Sequence, residues 1–197
     1  FLIRTNSIVE STQLWWSVRP HHSFGTVEVR ICDSQPSGDR STALAGLIDE
    51  VADLMGPSLS HRGVEVERRC DELLHASVDA VRLRQAILNL LSNAIKFPSK
   101  GDAVEVRTRF LPAGSSSLGL DAYEIVVADR GPGIELADQQ LIFEPFRQLA
   151  PRGESVPGTG LGLTVVRAVA LAHHGCIQVE PRPEPGNGSV FSLWIPL

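Results

Sequence analysis

The sequence predicts an α/β (α+β) two-layer sandwich, one mixed sheet carrying helices on one face. Two observations lead there. From about residue 57 the chain alternates strand-like with helix-like segments, and the helix-like ones are apolar along one side. The composition supplies a core to match: 43% of the 197 residues are hydrophobic and 21% charged, an ordinary globular balance.

Other classes fall away on composition. Eighteen Lys and Arg against 23 Asp and Glu give a net charge of −5 with no basic run, which argues against nucleic-acid binding through a positive face. No segment approaches the roughly 20 apolar residues of a membrane span, so no membrane contact is expected. No signal peptide opens the chain, and a start at Phe1 rather than Met predicts a piece of something longer. Cys32, Cys70 and Cys176 are odd in number and lack metal-ligand spacing; reduced thiols in a cytoplasmic protein are the expectation.

Taken in order, Thr26 to Ile31 alternates like a strand, and SQPSGD (34–39) breaks that pattern with turn formers. Leu44, Leu47, Ile48, Val51, Leu54 and Met55 then recur at helical spacing, with Gly56-Pro57 expected to end or kink the helix. GVEVERR reads as a strand. Asp79 is placed to cap a helix running to about Phe97. AVEVRTRF and YEIVVAD read as two strands flanking the small-residue turn PAGSSSLG. Residues 131 to 158 hold too many Gly and Pro for regular structure, apart from a short apolar piece at Leu141 to Phe146. A further helix runs to about His174 with Gly175 as its stop, and CIQVEPR and SVFSLWIPL close the sheet.

The helix after Asp79 raises a question of cost. Leu83, Ala86, Ile87, Leu90, Leu91, Ala94 and Ile95 form its core-facing stripe. At ~100° per residue, Asn89, Asn93 and Lys96 fall within an arc of roughly 60° beside that stripe. An amide offers a neutral oxygen to a cation and its NH2 to an anion, and a lysine adds a point charge suited to phosphate. The set suits a magnesium-bound polyphosphate. A merely solvated polar face is the plainer alternative for this helix alone.

Three other pieces bear on that choice. VVADRGPGI puts Asp129 at a strand end, where a carboxylate can accept from an exocyclic amine, and Gly131 and Gly133 let backbone approach a flat base. GTGLGL (158–163) opens a helix with small residues that expose N–H groups to an anion, though it fits neither a Walker loop nor a dinucleotide fingerprint. NGSVFSLWIPL ends the chain with a glycine-led strand.

Order and spacing together resemble the ATP-binding domain of sensor histidine kinases, in the Bergerat-type superfamily that includes gyrase, MutL and the ninety-kilodalton heat-shock chaperone. The likeness spans about 51–197. RLRQAILNLLSNAIKF is similar to the family's N box, DRGPGI to its first glycine box, IFEPFRQ to its F box, GTGLGL to its second glycine box, and GNGSVF to its closing glycine segment. The resemblance implies ATP and Mg2+ as cofactors, with Asn89 on the metal and Asn93 and Lys96 on phosphates. Asp129 would read the adenine amine, Gly131 and Gly133 would line the base, and Gly158, Thr159, Gly160, Leu161 and Gly162 would turn N–H groups to the phosphates. Residues 134–157 would form a mobile lid anchored by Phe143 and Phe146. Pro98 and Pro157 depart from the residues usual at their positions, and neither removes a ligand.

The hydrolysing relatives carry a glutamate base where this chain has Asn89, an amide with no useful basicity. The resemblance therefore implies a histidine kinase that donates the γ-phosphoryl group to a histidine, rather than a free-standing ATPase. His21, His22, His61, His75, His173 and His174 all lack the family's phosphoacceptor neighbourhood. The acceptor would be a helical hairpin on a separate domain or chain, and through it a response regulator. His173 and His174 are read as structural, a cation at a helix C-terminus.

Residues 1 to about 50 have another texture. WW-x-VRPH-x-x-FGTVEVRICD resembles the C-terminal part of the glutamate–cysteine ligase type 2 (carboxylate–amine ligase) family, with Ser17 where members often carry Asp. That resemblance implies Glu28 as a Mg2+ ligand and Arg30 as an anion contact. As i and i+2 on one strand they read equally as an exposed ion-pair ladder, which is favoured because the rest of the ligase site is absent. The segment is expected to be a fused remnant, or the tail of a ligase domain, that packs poorly or extends away from the core and leaves Trp15 and Trp16 poorly buried. The division expected is 1–50 ligase-like and 51–197 kinase-like. Alternatives are a nucleotide-binding module without transfer activity and a ligase fragment.

Overall fold

The structure, a computed structural model, describes residues 16–21, 26–31, 41–70, 74–96, 103–148, 159–183 and 187–197. The chain divides between Gly38 and Asp39 into two compact units. In the first, β1 (Trp16–His21) and β2 (Thr26–Ile31) pair antiparallel. β2 is the strand its alternation predicts; β1 carries Pro20, which hides a strand from a pattern search. Glu28 and Arg30 stand at register positions opposite Arg19 and Ser17. Trp15, the side chain of Trp16, His22, Cys32 and the turn at 34–39 lie outside the described residues.

The second unit opens with β3 (Ser41–Ala43), which pairs antiparallel with β5 (His75–Ser77), a small ribbon that no sequence pattern announces. Helix α1 (Leu44–Arg62) buries Leu44, Leu47, Ile48, Val51, Ala52, Met55 and Leu59, and leaves Leu54 exposed. It continues past Gly56-Pro57, which therefore do not end it. A proline inside a helix costs about 3 kcal/mol. Burying Met55 and Leu59 returns about 1.5–3 kcal/mol each, and Asp53 and Pro57 both lie on the exposed side, where the carbonyl that loses its donor can turn to water. The helix stops at Gly63, in the left-handed region at φ 65, with the Gly63 and Val64 N–H groups returning to Ser60 and Leu59.

Helix α2 (Ala80–Ala94) is capped as expected, Asp79 Oδ1 accepting from Val81 N–H and Arg82 N–H at 3.1 Å each. Its whole predicted stripe, Leu83 to Ile95, is buried. It ends three residues before Phe97, which lies outside the described residues with Pro98. There Arg62, at the close of α1, donates to the Ile95 carbonyl at 3.0 Å and supplies an acceptor-rich helix end with a cation.

β4 (Glu65–Arg69), β6 (Ala103–Leu111), β7 (Ala122–Ala128), β8 (Cys176–Pro181) and β9 (Ser189–Pro196) form one sheet in the order β4-β6-β7-β9-β8. β4 and β6 are parallel and the other pairs antiparallel, so the sheet is mixed. Alternate residues Val104, Val106, Ile125, Val127, Val179, Phe191, Leu193 and Ile195 join the buried residues of α1, α2 and α3 (Gly162–Ala172) in a single core. That periodicity of two places the helices on one face. On the opposite face of the central strands, Glu124 is buried and pairs with Arg109.

The end of α3 shows why a turn can follow an unexpected residue. His174 takes the left-handed conformation, φ 58, with its N–H on Leu171 and the Gly175 N–H on Ala170. Gly175 is needed for another reason. A Cβ there would stand 1.9 Å from the Trp194 carbonyl oxygen of β9.

Candidate functional site

The polar side chains of α2 meet the start of α3. Asn89 Nδ2 donates to the Gly162 carbonyl at 3.2 Å, while Asn89 Oδ1 accepts from Gln85 Nε2 at 3.2 Å. The orientation follows from chemistry: a carbonyl only accepts, so the NH2 must face Gly162 and the oxygen must face Gln85. That oxygen keeps a second lone-pair site. Gln85 lies one turn before Asn89 on the same face, a spacing visible in the sequence but not singled out there. Asn93 and Lys96 continue this face, both half-buried, and the chain beyond Lys96 passes outside the described residues.

The glycine-rich turn is braced from the other side. Gly160 has φ 70 and its carbonyl accepts from the Phe146 N–H at 3.1 Å. A Cβ on Gly160 would come within 2.7 Å of the Phe146 main chain, so no other residue fits. Thr159 Oγ1 accepts from the Leu161 N–H at 3.4 Å, and Gly158 lies outside the described residues. Of the two expected lid anchors, Phe143 is buried at the core's edge in the turn Leu141–Phe143. Phe146 is 58% exposed, which corrects its expected role. Its backbone is held at φ 62 against Gly160, and the side chain is turned outward. Residues 149–157 of the expected lid lie outside the described residues.

A second cluster forms where β7 ends. Asp129 is 7% exposed. Its Oδ1 accepts from the Gly131 N–H at 2.8 Å and the Ser189 N–H at 3.2 Å, and its own N–H donates to the Ser189 carbonyl at 2.9 Å. Gly133 sits at φ 79, and a Cβ on it would meet the Gly188 carbonyl at 3.3 Å. Gly188 is tighter still: a Cβ would lie 2.1 Å from the Asp129 carbonyl oxygen. Arg182 reaches that same oxygen, Nη1 donating at 3.1 Å. Gly188 and Ser189 belong to the GNGSVF segment marked in the sequence, but their contact with Asp129, and the part played by Arg182, depend on β9 lying beside β7.

The histidines resolve differently from the expected helix-end cation. His173 Nδ1 lies 2.8 Å from the Val169 carbonyl and so donates to it; Nε2 accepts from the Asp79 N–H at 3.0 Å. Both ring nitrogens have main-chain partners, so His173 is a structural tie between the end of α3 and the start of α2. The two described thiols are quiet. Burial pushes Cys70 up, opposed by a hydrogen bond with Thr108, and burial pushes Cys176 up. Among the described residues no group of three His, Cys, Asp or Glu could hold a metal ion, and no helix is long and apolar enough to cross a membrane.

Residues 78–197 match the family described as histidine kinase-, DNA gyrase B-, and HSP90-like ATPase. Residues 3–114 match glutamate-cysteine ligase family 2, a stretch longer than the approximately 1–50 expected. The two matches overlap over 78–114, which the structure builds as α2 and β6 of the sandwich. The chain is 42% identical over 122 residues to the signal transduction histidine-protein kinase/phosphatase MprB of Mycobacterium sp. (strain KMS), covering 60% of this chain and 22% of that protein. It thus spans about a fifth of the length of this curated relative. Full-length ShkA in complex with AMPPNP superposes with a TM-score of 0.63 at 30% identity, over 80% of this chain and 30% of ShkA. The catalytic domain of histidine kinase ThkA superposes with a TM-score of 0.66 at 26% identity, over 80% of this chain and 94% of that domain. ThkA has also been seen in complex with the response regulator protein TrrA, at a TM-score of 0.63 and 25% identity over 80% of this chain and 41% of that one.

Proposed function

Because the chain belongs to the histidine kinase-, DNA gyrase B-, and HSP90-like ATPase family over residues 78–197, with residues 3–114 in glutamate-cysteine ligase family 2, we propose that it is the ATP-binding catalytic domain of a histidine kinase. It donates the γ-phosphoryl group of ATP to a histidine on a separate hairpin domain or chain, which passes it to a response regulator, in the cytoplasm. Residues 51–197 carry this activity. The ligase-like segment up to about residue 50 is a remnant that ends within α1.

The observation that carries this reading is the Asn89 amide bound to the Gly162 carbonyl, which joins the asparagine helix to the glycine-rich turn. Asn93 on α2 and Lys96 just past its end contact phosphates, and the N–H groups of Gly158 to Gly162 approach them from the turn. Asp129 accepts from the adenine amine beside Gly131 and Gly133. Asn89 Oδ1 is a hard, neutral oxygen suited to Mg2+, and with no carboxylate or histidine cluster among the described residues the ion would take its other oxygens from phosphate and water. When bound, Mg2+ neutralises charge on the triphosphate. Asn89 cannot take a proton from water, so the site waits for a better nucleophile than solvent. The histidines His61, His75, His173 and His174 are not acceptors.

Mixing the chain with an isolated phosphoacceptor hairpin and γ-labelled ATP tests this: label should move to the hairpin, whereas tight nucleotide binding without transfer would favour a holder. Calorimetry that detected no heat from Mg·ATP would sink both. The match over 3–114 favours one other outcome, ATP turnover stimulated by glutamate plus cysteine, the mark of a ligase.

A further inference from the structure

Arg182 follows β8, on the face of the sheet opposite the helices, and touches none of the residues that would meet a nucleotide phosphate. Its contacts converge on one place. Its N–H donates to the Gly188 carbonyl at 3.0 Å, its Nη1 donates to the Asp129 carbonyl at 3.1 Å, and its Nη2 stands 3.7 Å from Glu105 Oε2. The side chains of Arg182 and Glu105 are only 19% and 18% exposed, so this is a partly desolvated brace rather than a surface pair. Glu105 lies on β6 opposite Ala128, the last residue of β7 before Asp129. One guanidinium therefore ties together the β6 strand, the β7 terminus and the β8–β9 connection.

The consequence falls on Asp129. Its carboxylate takes Oδ1 bonds from the main chain of Gly131 and Ser189, so its direction is set by how the peptide units around it are tilted. Gly188 presses on the same carbonyl that Arg182 holds, with room for no side chain between them. Resting on the reading that Asp129 accepts from the adenine amine, we propose that Arg182 is a positioning residue for base selectivity: it fixes the Asp129 peptide from behind and thereby aims the carboxylate. Lysine could not replace it fully, because a single ammonium cannot serve Asp129 and Glu105 with the fixed fork of a guanidinium.

The test compares Mg·ATP with Mg·ITP, in which a carbonyl oxygen replaces the exocyclic amine, by calorimetry on the wild type, Arg182→Ala, Arg182→Lys and Glu105→Gln. The wild type should prefer ATP. Arg182→Ala should weaken ATP about tenfold, the scale of one lost hydrogen bond, and leave ITP unchanged, so that the ratio falls. Arg182→Lys should recover part of the ratio, and Glu105→Gln should lower it by a smaller factor in the same direction. Equal loss of both nucleotides, or an unchanged ratio in Arg182→Ala, would overturn the proposal. If Arg182→Ala does not fold, a wild-type ratio in Glu105→Gln overturns it instead. A wild type that binds both nucleotides equally refutes Asp129 as the base reader, and Arg182 falls with it.

Discussion

The base end and the phosphate end of the proposed site are built by different means. At the base end, Asp129 sits at a strand terminus and is held by main-chain groups of Gly131 and Ser189, with Arg182 and Gly188 closing on its carbonyl. Apart from the Gly131 N–H, these constraints come from the start of β9 and the connection that leads into it. At the phosphate end, Asn89 and Asn93 project from α2 with Lys96 just past its end, and the glycine turn meets them through the hydrogen bond from Asn89 to the Gly162 carbonyl. Under the proposed function, the base end would be fixed chiefly by main-chain groups and the phosphate end by side chains.

Four substitutions would break or sharpen that contrast. The largest effect is expected at the base end: Gly188→Ala pushes a Cβ to 2.1 Å from the Asp129 carbonyl at a φ of 142, so stability should fall by about 3 kcal/mol or more. Thermal melting should show a drop of roughly 6–12 °C, and an unchanged midpoint would mean that the base end is not tightly built. Next, Asn93→Ala should abolish measurable Mg·ATP binding, a loss above about 100-fold, while leaving the fold intact; calorimetry beside circular dichroism reads both. Unchanged affinity would contradict the phosphate end assigned to α2. Asp129→Asn keeps an acceptor for Gly131 and Ser189 but removes the charge, and should weaken ATP by about 10- to 100-fold with little change in melting. The smallest effect belongs to a helix end outside both clusters. Asp79→Ala removes the α2 cap and should cost about 1 kcal/mol without altering ATP affinity.

Much of this was legible along the chain, and the reasons are specific. The stripe from Leu83 to Ile95 is read from spacing because a helix has a fixed period and one buried side, and the Asp79 cap is local to its own turn. β6, β7 and β9 announce themselves by alternation and apolar runs. Pro57 misled, because an isolated helix would break there while burial of Met55 and Leu59 holds this one together. β1 was hidden by Pro20, and the short β3–β5 ribbon and the outward turn of Phe146 because each is decided by a partner further along the chain. His173 looked like a cation at a helix end until the Asp79 N–H took its second nitrogen.

What the sequence determined by itself was the local part: which segments are helices and strands, which side of each is apolar, and which amides, lysine and carboxylate are candidates for the proposed nucleotide site. Those features depend on residues a few positions apart, through backbone period and side-chain chemistry. Tertiary structure alone decided that Gly162 orients Asn89, that Ser189 and Arg182 hold Asp129, and that Gly160, Gly175 and Gly188 must lack a side chain. In each case the physical reason is contact across the sheet or between helices, where close packing and the pairing of buried polar groups leave one acceptable arrangement.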